Sequence, residues 1–130
     1  MGAWGTAAFD NDDASDWVYD LEKRGIEAIE AALADVEGAT DLEMPADANA
    51  IAAGEVIAAG LGRPVDGLRD DILALAKAIR PDLTPELASR ARAAVQRVLA
   101  RSELAELWDE TAQGGEWRRS VDDLVLRLTA

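Results

Sequence analysis

Four aspartates stand close together near the start of the chain: Asp10, Asp12, Asp13 and Asp16. A calcium loop needs oxygen ligands at loop positions 1, 3 and 5, Gly at position 6 and Glu at position 12. Counted from Asp10, those last three positions hold Ala14, Ser15 and Leu21. The pattern fails at each, so no metal site is expected. Acids at a helix start are the better account, because they complement the positive end of the helix dipole. Their functional alternative is a surface that faces a partner.

Glu55 is the second candidate. It lies inside Ala52-Ala53-Gly54-Glu55-Val56-Ile57-Ala58-Ala59, the most apolar stretch of the chain. A buried carboxylate has to be paired, hydrogen-bonded or protonated. The expected partner is an arginine. A perturbed acid in a cleft could also mark a site, yet one carboxylate without a second is weak support for acid–base catalysis. Arg90, Arg97 and Arg101 share one flank of a helix and could grip a phosphate; neutralising the acidic half of the same molecule is the simpler reading. Four tryptophans lie towards the two ends, Trp4 and Trp17, then Trp108 and Trp117. They are expected to fill core volume and to bring the N-terminal segment, anchored by Trp4 and Phe9, against the C-terminal helices.

Much ordinary chemistry is excluded by residue type. The 130 residues contain no His and no Cys. That removes the commonest general base, the commonest transition-metal ligand, thiol nucleophiles and disulfides. Neither a phosphate-binding glycine loop nor a nucleophile elbow is present. No catalytic residue and no cofactor is expected.

Net charge is −13, with −11 carried by residues 1–65 and −2 by residues 66–130. Nucleic acid and anionic membrane surfaces need Lys and Arg and are disfavoured as partners; a basic protein is permitted. No apolar run reaches the roughly 18–20 residues of a membrane span. No secretory signal is seen, and a cytoplasmic location is expected. Residues 1–6 match the short myristoylation pattern, but no polybasic patch follows to reinforce a lipid chain.

The elements that must position these residues are helical. Ala is the best helix former, and 27 of the residues are Ala against 37 large apolar ones. Periodicity places helices over about 11–23 with Trp17 and Leu21 on one face, and from Ile26 to Gly38 with Ile26, Ile29, Leu33 and Val36 as a stripe. A third helix is expected from a cap at Asp47 to Gly60, where Ala50, Gly54 and Ala58 permit close approach of another helix. A fourth is expected to open at Pro64 and Asp66 and to carry Leu68, Ile72, Leu75 and Ile79 before Pro81. Thr84-Pro85 is a strong start signal for a fifth with Leu87, Ala91, Val95 and Val98. Ser102 caps a sixth, and Gly114-Gly115 precedes a seventh with Trp117, Val121, Leu124, Val125 and Leu128. The reading is a single all-α domain of six to seven short helices, with 85–112 read as two.

The opening MGAWGTAAFDNDDASDWVYDL resembles that of a bacterial family, domain of unknown function 4259. The shared features are a Gly-Trp-Gly stretch, a Phe, an acidic-Asn-Asp segment and Asp-Trp. IAAGEVIAAGLG and the tail SELAELWDE…WRRSVDDLVLRL are similar to its later blocks. The resemblance covers nearly the whole chain and implies a self-contained small bacterial domain. It brings no activity, ligand or catalytic residue. Two functions stay open: a non-enzymatic acidic module that binds a basic protein, an immunity protein being one form, and a ligand binder or enzyme that uses Glu55 in a polar pocket.

Overall fold

Asn11 starts the first helix. Its Oδ1 accepts a hydrogen bond from the Ala14 N–H at 2.8 Å, which satisfies one of the orphan donors of a helix N-terminus. The computed structural model describes residues 7–129. Among these the chain forms seven α-helices and no strand: α1 Asp12–Arg24, α2 Ile26–Glu37, α3 Ala46–Gly60, α4 Asp70–Ile79, α5 Pro85–Ala100, α6 Glu103–Asp109 and α7 Gly114–Leu128. A short 3-10 turn, Arg80–Asp82, follows α4. Between α1 and α2 stands only Gly25, at φ +58°, a left-handed conformation that favours glycine.

Helix α3 is the axis of the fold. It touches all six other helices, and every residue from Ala50 to Gly60 is buried. A helix apolar on all sides belongs in a core rather than at its rim. The small-residue stripe has the expected use: a Cβ added at Gly54 would stand 3.0 Å from a Val95 methyl on α5 and 3.2 Å from a Leu124 methyl on α7. The stripes of α2, α5 and α7 bury against it as periodicity predicts, with Ile26 and Val125 only partly covered. Trp17 is buried, and Trp108 stacks on Trp117 at 6.4 Å between ring centroids and 10° between planes. Phe9 is buried, and Ala7 and Ala8 line a small cavity with Trp108 and Trp117. The segment therefore meets the C-terminal helices from residue 7 onward. Trp4 and the myristoylation pattern lie outside the described residues.

Three expectations are corrected. Gly114 and Gly115 are the first two residues of α7, after the cap position Gln113, rather than a break before it. Helix α4 opens at Asp70, not at Pro64 or Asp66. Gly67 adopts φ +80° and Leu68 N–H bonds back to Val65 O, so 64–69 is a turn and Leu68 precedes the helix. Asp70 and Asp71 are its first-turn acids. Asp47 does not cap α3 either. That helix begins at Ala46, after Pro45, with no side-chain cap.

Asp47 is fully buried and serves another helix. Its Oδ2 accepts the Leu104 N–H of α6 at 3.0 Å, and its Oδ1 accepts the Ala48 N–H at 2.8 Å. The remaining first-turn donors of α6 are also met: Glu103 N–H by Leu42 O, Ala105 N–H by the Ser102 hydroxyl, Glu106 N–H by Ser102 O. Replacing Asp47 by Ala leaves the Leu104 N–H without its acceptor and is expected to cost about 1–3 kcal/mol. Burial pushes the Asp47 carboxyl above its ordinary range against those two backbone bonds, with Glu103 adding to the rise. The folded state then binds the proton more tightly than the unfolded chain. Asp47 thus stabilises more as pH falls through its folded value towards the unfolded one. The gap between wild type and Asp47→Ala, measured by urea unfolding, should widen on going from pH 7 towards about pH 4; a gap that narrows would contradict this linkage.

Candidate functional site

The four N-terminal aspartates do not converge. Asp10 sits half-buried in the bend before the Asn11 cap, Asp12 and Asp13 form the first turn of α1, and Asp16 is exposed one turn later. Among the described residues no group of three or more His, Cys, Asp or Glu is placed to hold a metal ion. Asp12 and Asp16 are exposed on α1, whereas Asp10 turns up in the wall of a cavity. From Asp10 to Glu37 there are ten acids and two bases, Lys23 and Arg24. Only two of those acids are in ion pairs among the described residues: Asp20 with Arg24, and Glu37 with Arg90 of α5. Tyr19 of α1 is 66 % exposed. At helical spacing its neighbours are Ser15, Asp16, Glu22 and Lys23.

Glu55 is buried and paired, as its setting in α3 demands. Arg127 of α7 grips it with both terminal nitrogens, Nη1 to Oε1 at 2.7 Å and Nη2 to Oε2 at 3.0 Å. Arg127 Nε donates to Asp123 Oδ2 at 2.7 Å, one turn back on α7. Burial pulls the Arg127 guanidinium down, yet the two carboxylates outweigh it and hold the group above its ordinary value. The arginine stays charged. Two planar hydrogen bonds of this kind fix geometry as well as charge. Glu55 also borders a cavity of about 190 Å³ whose wall includes Phe9, Asp10, Ile72, Trp117 and Val121. The acid quartet and Glu55 are thus joined at one point only, through Asp10.

The model of the family described as Domain of unknown function (DUF4259) matches residues 2–120, nearly the whole chain. The chain belongs to that family. No curated protein matches it. No solved structure matches it either.

In this DUF4259 chain two arginines of the α5 flank, Arg90 and Arg97, are used internally. Arg90 forms a bidentate pair with Glu37 at 3.0 and 2.8 Å, and that guanidinium draws the Glu37 carboxyl below its ordinary range despite some burial. Arg97 donates to the carbonyls of Val36 and Ala39, at the C-terminus of α2, where a cation meets the negative end of the helix dipole. Arg101 is exposed at the C-cap of α5. Residue spacing did not pick out Tyr19 or Arg127. Tyr19 carried a faint signal, a large ring among the charged positions of an amphipathic helix. For Arg127 the available signal was its position four residues after Asp123; its pairing with a residue 72 positions away had none.

Proposed function

We propose that this domain is a non-enzymatic binding module that presents the outer face of the α1–α2 hairpin to a basic protein. One observation carries the reading: eight of the ten acids between Asp10 and Glu37 have no ion pair within 4 Å among the described residues, while Tyr19 projects among them. An exposed aromatic beside a majority of acids combines a ring that a partner can bury with electrostatic steering. A cation on that partner could also lie over the ring. The same charge opposes nucleic acid. A toxin-neutralising role, in the cytoplasm of a bacterium, is one form the function could take, supported by the acidity and by the absence of cysteine. Catalysis at Glu55 has little support, since both carboxylate oxygens are held by Arg127.

The test is retention of partners from source-cell extract on the immobilised full chain, with each retained protein identified by mass spectrometry. A basic protein should bind at low salt and be released near 1 M salt, where the screening length falls to about 3 Å. The variant Asp12→Asn, Asp16→Asn, Tyr19→Ala should hold it at least about tenfold less tightly, a change of ~1.4 kcal/mol. Equal retention by this variant, or no basic protein retained at low salt, defeats the proposal.

A further inference from the structure

The cavity beside Glu55 is the second feature that calls for an occupant, and it shares only Asp10 with the acidic hairpin. Its floor is apolar and buried: Phe9, Ile51, Ile72, Trp117 and Val121. Among the described residues its polar side chains are three carboxylates, Asp10, Asp66 and Glu55, with Ser120 and Arg69. The arginine at its edge, Arg69, is already bound by Asp71 through two hydrogen bonds of 3.1 and 2.7 Å. Asp10 and Asp66 have no ion pair within 4 Å among the described residues, whereas Arg69 and Arg127 do. Behind the wall, Glu55 is already matched by Arg127, so the unmatched charge at the rim is that of Asp10 and Asp66. Apolar walls with an unbalanced negative rim match a short alkyl chain that ends in a cation. At about 190 Å³ the space is below the roughly 300–1,000 Å³ of sites for drug-sized ligands, so the ligand is small or is one side chain.

We infer that this cavity is a binding site for an alkylammonium or alkylguanidinium group, its chain against Trp117 and Ile72 and its charge towards Asp10 and Asp66. The same chemistry could be supplied by a free amine or by the side chain of a Lys or Arg in a protein. Neutral ligands of equal size would gain the apolar contact and lose the charge attraction.

The experiment titrates the full chain with n-butylguanidinium, n-butylammonium and n-pentanol, read by tryptophan fluorescence and by amide chemical shifts. The cations should bind saturably and at least about tenfold more tightly than the alcohol, with shifts at Ile72, Trp117 and Val121. Asp10→Asn with Asp66→Asn should abolish that preference while leaving alcohol binding unchanged. Asp66→Asn alone, at an exposed turn position, should reduce it and serves if the double variant fails to fold. A further arm uses Nα-acetylarginine methylamide: binding comparable to butylguanidinium assigns the site to a protein side chain, and binding at least about tenfold weaker assigns it to a free amine. Failure of both cations to saturate, equal affinity for the alcohol, or a preference untouched by the Asp variants would overturn the inference. The capture test alters Asp12, Asp16 and Tyr19, whereas this one alters Asp10 and Asp66, so the two readings fail separately.

Discussion

Replacing Arg127 by Met is expected to lower the free energy of unfolding by about 3–5 kcal/mol. The side chains of Arg127 and Glu55 are only 14 % and 6 % exposed, so the variant leaves a carboxylate in the core without its counter-charge. That penalty, rather than the intrinsic worth of the pair, sets the size of the loss. The double variant Glu55→Met, Arg127→Met should therefore recover most of it, because well-packed apolar replacements of buried pairs are often neutral or stabilising. Asp123 also loses a partner, but its side chain is 59 % exposed and such surface pairs contribute at most about 1 kcal/mol. Urea unfolding of both single variants and the double one closes the cycle. If the double variant is as unstable as Arg127→Met, the buried charge is not the cause.

Trp117→Ala is expected to have an effect of similar size, about 3–5 kcal/mol. The ring is buried, stacks on Trp108, and forms part of the cavity floor. Removing it deletes a large apolar volume and leaves Trp108 without its stacking partner. Such a loss is a large share of the ~5–15 kcal/mol that typically holds a domain together. Trp117→Phe keeps an aromatic surface against Trp108 and should cost clearly less. Comparing the two by thermal and urea unfolding separates lost volume from lost stacking. A Trp117→Ala protein with wild-type stability would mean that the C-terminal core repacks around the gap.

The difference between the two kinds of expectation lies in the range of the interactions. Helix content, the break at Gly25, and the caps at Thr84 and Ser102 depend on residues a few positions apart. Apolar spacing and first-turn chemistry express them directly, so the all-α class and the split of 85–112 into α5 and α6 were legible in the chain. So was the burial of Glu55, because a helix apolar on every side has no wet face to offer it. The start of α4 was misplaced because Pro64 and Asp66 resemble a local start signal, whereas the left-handed Gly67 ends that possibility. Asp47 was misread for a different reason. An aspartate near a helix start resembles a cap for its own helix, and its actual hydrogen bond spans 57 positions to α6.

Tertiary packing alone decided which of eleven arginines meets Glu55, that Arg90 and Arg97 fasten α5 to α2, and that Phe9 and Asp10 come to the same cavity as Glu55 and Trp117. Spacing along one chain carries no information about such meetings. They depend on how seven helices orient around α3, and that orientation is set by the summed packing of many side chains rather than by any one motif.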